Sequence, residues 1–355
     1  MKALRIIAGK TAQKRIAEHG LSPELVRMVV GASGGPKWLV LLGLDKYIFG
    51  QWLADAQQTI DLVGSSIGAW RMAVAAHPDA AAAYEKFIEL YFQFKAADAR
   101  SPQALTQASY GLLDKLFAGD GAASIVGNER RNLNIVTARS KGLNAGSSRW
   151  REGSQLLAAV GANAVDRAHL AKVFERVVFH SGERVACPAA WADFGRTDVR
   201  LRPDNLADVL MATGSIPFVA DPITNIAGAP AGLYRDGGVI DYHFDIPWTL
   251  EDGIVLYPHF YGHIIPGWFD KKQTSRRAKG AAWDQTLMLA PSDSFVASLP
   301  GGKIPDRSNF KEMSDNDRLA YWSIVIAESE RLAEEFSQCL ENNDMLMARL
   351  EPAAQ

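Results

Sequence analysis

The chain has 355 residues, 48% hydrophobic and 22% charged, with a formal net charge of −2. That balance fits a globular protein with a large core, folded as one α/β domain or two smaller ones, and argues against a general nucleic-acid binder. The strongest apolar segment, residues 38–49, carries Asp45 and Lys46 and falls short of the roughly 20 residues that cross a bilayer.

The apolar run within residues 1–10 is too short for a signal peptide. Residues 24–30 read as a first strand ending in Val29-Val30. A Gly-rich turn, Ser33-Gly34-Gly35-Pro36-Lys37-Trp38, follows and opens an apolar helix that runs to Phe49 and closes at Gly50. Pro36 suits a first helical turn, where its missing N–H removes nothing. The turn aims free amides above the sheet edge; it reads equally as a plain strand-to-helix connection. A phosphate loop fits less well, because neither G-x-x-x-x-G-K-[ST] nor G-x-G-x-x-G is present.

A short apolar strand ends at Val63, and a helix begins at Ile67 and stops at His77-Pro78. Residues 79–97 predict a helix, and Ser101-Pro102 starts another, with Ser as N-cap and Pro in the first position. Strands are expected at 134–138, 176–179 and 253–257, and helices at 156–174 and 205–212. Segments 266–280 and 291–307 look like long loops. Residues 315–350 predict a helical segment capped by Ser314 and interrupted at Asn342-Asn343. Alternating strands and helices give an α/β sheet covered on both faces. Residues 1–313 form the main domain, and 314–355 a helical segment packed on it.

Between the strand at 61–63 and the helix at 67 stands Gly64-Ser65-Ser66-Ile67-Gly68, a G-x-S-x-G sequence. On a sharp strand-to-helix turn this pattern lifts the central serine hydroxyl out of the sheet. Ser66, not Ser65, holds the central position. A serine nucleophile needs a base and donors for the oxyanion. Asp236, followed by Gly237 and Gly238, leaves its carboxylate open to an approaching group, with Asp241 and Asp245 as rival carboxylates. As bland alternatives, Ser66 and Asp236 are turn residues and Lys37 a solvated helix-start lysine.

The order Gly-rich turn, G-x-S-x-G, D-G-G resembles the patatin-like phospholipase family, over most of the first 250 residues. The family's G-G-G-x-[RK]-G stands here as Ser33 to Trp38, its Ala-Ser-x-x-x-P segment as Ala212 to Pro217, and its proline beyond the acid as Pro247. The resemblance implies a three-layer patatin-like sheet with helices on both faces. It also implies a serine acyl hydrolase with a Ser66–Asp236 dyad and oxyanion donors at Gly34 and Gly35; Lys37 beside them is a candidate supporting residue. No cofactor or metal is implied. Ser33 in place of the first glycine requires a negative φ, and Trp38 in place of the last is expected to shape the pocket. The implied substrate is a lipid or small acyl ester.

An α/β-hydrolase has the same elbow and the chain order Ser, acid, His, and His243, His259 and His263 follow Asp236. That reading leaves the D-G-G sequence unexplained. An acyltransferase and a non-enzymatic lipid binder are further alternatives. The aromatics Phe260, Tyr261, Trp268 and Phe269 and the bases Lys271, Lys272, Arg276, Arg277 and Lys279 make 260–279 a candidate for transient contact with a lipid surface; the alternative is a solvated loop whose aromatics pack on the core. Cys187 and Cys339 read as reduced thiols that cannot build a zinc site by themselves. The expected location is cytoplasmic, peripheral at the membrane if that contact forms.

Overall fold

The computed structural model describes residues 2–141, 148–186, 191 and 195–354; Cys187 lies outside them. The first third of the chain contains β1 (Leu4–Ala8), α1 (Lys10–His19), β2 (Val26–Gly31), α2 (Leu42–Tyr47), β3 (Ile60–Ser65), α3 (Ile67–Ala75), α4 (Ala80–Phe92) and α5 (Pro102–Leu116). The middle contains α6 (Gly121–Val126), β4 (Arg131–Ser140), α7 (Arg149–Val165), β5 (Phe174–His180), β6 (Arg196–Arg200), α8 (Leu206–Gly214), β7 (Ile223–Thr224) and β8 (Leu233–Asp236). The last third contains β9 (Ile254–Pro258), β10 (Thr286–Pro291), α9 (Asp293–Ser298), α10 (Asn309–Glu312), α11 (Asp315–Glu341), α12 (Asn343–Arg349) and β11 (Leu350–Pro352).

The strands form one mixed sheet in the order β11-β1-β10-β9-β2-β3-β4-β5-β6, with β7 and β8 off that path. Its centre, β10-β9-β2-β3-β4, is parallel. Successive side chains of a strand point to opposite faces. Every residue of β9 and β10, and all but one of β2 and β3, is buried, so both faces of the centre are covered. The fold is α/β.

Caps set several boundaries. Ser101 accepts from the Ala104 N–H at 3.1 Å, Ser314 from Asp317 at 3.1 Å, and Asn342 from Met345 at 3.0 Å, which restarts the helix after its break. The helix expected over 156–174 ends earlier. At its C-terminus Asp166 turns extended and caps a separate 3-10 helix, Arg167–Lys172. The single helix expected up to Phe49 is a 3-10 stretch, Gly35–Leu41, then α2, then a π turn, Ile48–Trp52. The expected loop 291–307 contains α9 and a 3-10 turn, and 266–280 contains two short 3-10 turns, with a third starting at Gly280.

Residues 314–354 are sewn to the rest of the molecule. The Gly43 N–H of α2 donates to Ser329 Oγ of α11 at 3.0 Å. Trp322 of α11 is fully buried and stacks on Tyr91 at 5.8 Å. β11 then pairs with β1, placing Leu350 beside Ile6. No helix among the described residues is long and apolar enough to cross a membrane. Cys339 is a buried free thiol.

Candidate active site

The edge of β4 explains how residues 170 positions apart come together. β3 runs parallel along the first part of that edge and ends with Ser65 opposite Val136. β8 runs antiparallel along the next part and ends with Asp236 opposite Thr137. The two strands therefore approach each other end to end, and the residues that leave them meet. Ser66 Oγ donates to Asp236 Oδ2 at 2.8 Å.

Ser66 has φ 52° and ψ −134°. A non-glycine residue held there stores roughly 1–3 kcal/mol of strain, so its surroundings must enforce it. A side chain at Gly68 would lie 2.0 Å from the Gly31 carbonyl oxygen, so α3 can sit against β2 only with glycine at that position. The Ser66 N–H donates to Thr213 Oγ1 at 2.8 Å, and Thr213 donates in turn to the Val136 carbonyl at 2.6 Å. Thr213, on α8, thus clamps the elbow to the β4 edge.

Ser65, the neighbouring serine, is fully buried and donates to the Asp241 carbonyl at 2.8 Å. Its hydroxyl lies 2.7 Å from that of Ser33. Because the Ser65 proton is already used, Ser33 is the donor in that pair. Ser33 keeps a negative φ. It ties the Gly-rich turn to the elbow strand. The rival carboxylate Asp241 is taken up by Arg176 at 2.7 Å and Arg167 at 3.0 Å. Asp245 does not line the cavity at Ser66.

That cavity, of about 230 Å³, is lined by Ser66, Asp236, Gly34, Gly35 and Lys37, and further by Tyr242, Lys271 and Arg307. Gly35 has φ 56°, a left-handed value that costs an L-residue roughly 1–2 kcal/mol. It opens the 3-10 helix, whose first amides have no partner within the helix. Gly34 and Gly35 therefore stand beside Ser66 with amides not used by the helix.

Burial pushes the Asp236 carboxyl up to about 6, against hydrogen bonds from Ser66 and the Gly238 N–H and the charges of Arg307 and Lys271, which pull it down. Burial also lowers Lys37, which Asp306 opposes from 3.4 Å. Lys271 lies over the Tyr242 ring at 4.1 Å. Burial of its ammonium, with Arg307 and Lys37 nearby, pushes it down to about 7.

Trp38, expected to shape the pocket, is instead fully buried and stacks on Phe87 at 4.8 Å. None of the three histidines lines the cavity. His243 Nδ1 accepts from the Ile265 N–H at 3.2 Å, and burial holds the ring well below its ordinary value, and so neutral. His259 packs on Phe260 at 4.6 Å, and His263 on Tyr261 at 5.1 Å. Among the described residues, no histidine hydrogen-bonds Ser66 or Asp236.

The chain matches no family model and no curated protein.

Within 260–279, Phe260 is buried in the core, Tyr261, Trp268 and Phe269 are half-buried, and Arg276 pairs with Asp270 at 3.1 Å. Lys271, Lys272, Arg277 and Lys279 remain exposed. The large exposed apolar side chains lie elsewhere, chiefly Trp150, Leu157 and Val165 on α7. Sequence reasoning missed Arg307, and it placed Lys271 at the surface, where it is, without placing it at the rim of this cavity. Nothing local marks either, since the chain has to fold before they face Ser66.

Proposed function

We propose that the protein is a serine acyl hydrolase of patatin-like type, working through a Ser66–Asp236 dyad on a patatin-like layered sheet. The observation that carries this reading is the 2.8 Å hydrogen bond from the strained elbow serine to a buried carboxylate. Ser66 Oγ attacks the acyl carbonyl carbon as its proton passes to Asp236 Oδ2. The amides of Gly34 and Gly35 hold the oxyanion, as donors already oriented before the charge develops. Asp236 returns the proton to the leaving alcohol. In the second half, water gives a proton to Asp236 as its oxygen attacks the acyl carbon; the bond from that carbon to Ser66 Oγ then breaks, Asp236 returns the proton to Ser66 Oγ, and the acid leaves. A base with a pKa near 6 suits both directions of transfer at neutral pH. The modest cavity and the packed aromatics of 260–269 favour a small or single-chain acyl ester.

Hydrolysis of nitrophenyl butyrate tests the reading. Ser66→Ala should lower turnover roughly 10⁴-fold or more, the usual loss for a catalytic nucleophile. Ser65→Ala should remain active, though less stable by about 1 kcal/mol for its lost buried hydrogen bond. Undiminished turnover in Ser66→Ala would exclude the proposal.

A further inference from the structure

The cavity at Ser66 carries more positive charge than its own carboxylates neutralise. Three cationic side chains, Lys37, Lys271 and Arg307, share its wall with two carboxylates, Asp236 and Asp306. Lys37 is matched by Asp306 at 3.4 Å. Asp236 is committed to Ser66 at 2.8 Å and to the Gly238 N–H at 2.7 Å. Among the described residues, Lys271 and Arg307 have no carboxylate partner.

Arg307 is the more telling of the two. Its Nη1 is buried and has no hydrogen-bond partner among the described residues. A buried donor left unpaired is costly, more so when it is charged. The stem of Arg307 is laid against Gly35, where an added Cβ would lie 3.1 Å from Arg307 Cγ. The guanidinium is thereby held beside the oxyanion turn. Lys271 faces the same space from over the rings of Tyr242 and Trp268, at 4.1 and 5.4 Å from their centroids. Both cations lie within electrostatic reach of Asp236. A guanidinium with a free N–H edge beside an ammonium suits an oxyanion group, which would pair both charges at once.

We propose that Arg307 and Lys271 form an anion subsite in the catalytic cavity, so that the preferred substrate is an acyl ester bearing a phosphate or carboxylate close to the scissile bond. This rests on the Ser66–Asp236 hydrolase reading and names its substrate class. The subsite selects among esters and takes no part in bond making. The anion belongs either to the headgroup of a single-chain lipid or to a small water-soluble ester.

The test compares kcat/KM for the neutral ester nitrophenyl butyrate, for its anionic counterpart mono(nitrophenyl) glutarate, and for short-chain and long-chain 1-acylglycerol 3-phosphates. The anionic esters should be preferred on the order of 10–100-fold, the range of a hydrogen-bonded charge pair. Arg307→Gln should bring the ratio of anionic to neutral close to one, and Arg307→Lys should restore part of it. Faster turnover of the short-chain phosphate points to the soluble source, and of the long-chain phosphate to the headgroup. Equal kcat/KM for neutral and anionic esters, unmoved by Arg307→Gln or Lys271→Gln in folded protein, would overturn the subsite while leaving the hydrolase reading intact. Titration of inorganic phosphate into Ser66→Ala protein gives an activity-free readout. Binding weakened about tenfold or more by Arg307→Gln supports the subsite even if the hydrolase reading fails, and no binding to protein with Arg307 intact counts against it.

Discussion

At the scale of single residues, the proposed Ser66–Asp236 dyad ties activity to pH, and the same carboxylate bears on stability. As a base Asp236 must be ionised, so kcat/KM for a neutral ester should fall as pH drops through about 6, where burial places its carboxyl. The stability effect has the opposite sense. A carboxyl raised from 3.8 to about 6 binds its proton more tightly in the folded protein than in the unfolded chain. Its ionised form therefore destabilises the fold, by roughly 3 kcal/mol once the pH is well above 6. That cost shrinks as pH falls through 6 and is gone below the unfolded value near 4. Asp236→Asn, which cannot ionise, should be inactive yet more stable than the parent at pH 8, with the difference closing by pH 4 to 5. Urea unfolding at both pH values, with the Asn protein no more stable at pH 8, would show that burial does not raise this carboxyl. These two residues were legible in the sequence because the constraints on them are local. The elbow needs glycine where α3 meets β2, and Asp236 precedes two glycines. Lys37 was legible as a position but not as a partner of Asp306, since the two lie 269 residues apart.

At the scale of elements, the site depends on three pieces that the β4 edge brings together: the end of β3, the end of β8 and the last turn of α8. Thr213, on α8, ties the elbow after β3 to the β4 edge, accepting from Ser66 N–H and donating to the Val136 carbonyl. Thr213→Val keeps the shape and removes both bonds. It should cost about 1–3 kcal/mol of stability for the buried groups left unpaired, and lower kcat roughly 10–100-fold by loosening the elbow. KM should change little, and Thr213→Ser should recover most of kcat. Full activity in folded Thr213→Val would mean that glycine packing alone holds the elbow. The main elements were readable from apolar runs and caps, as Ser101, Ser314 and the break at Asn342 show. The N-terminal strand β1, the buried strand β10 and the short β11 were not. β1 and β11 form a parallel pair of which only three registered positions belong to β11, and pairing of that kind leaves no local pattern. β10 lies between two stretches that read as loops, where tertiary packing rather than periodicity decides the structure.

At the scale of the whole molecule, chain order and fold serve one arrangement. The sheet presents β3 and β8 to the same stretch of β4, while α11 and β11 bind the C-terminal part to α2 and β1. The order of motifs along the chain anticipated which residues meet. It did not anticipate the charge around them, because Lys271 and Arg307 come from segments that look like polar loops until the fold brings them to the cavity wall. The same folding places Phe260 in the core and leaves Lys271, Lys272, Arg277 and Lys279 as the exposed bases of 260–279. The central claim is that Ser66 is a nucleophile activated by Asp236. Reaction with a fluorophosphonate, followed by mass mapping of the labelled peptide, tests it most directly. The adduct should sit on Ser66, be absent from Ser66→Ala, and form orders of magnitude more slowly in folded Asp236→Asn. No adduct on the intact protein, an adduct on another residue, or equal labelling rates with and without the Asp236 carboxylate would contradict it.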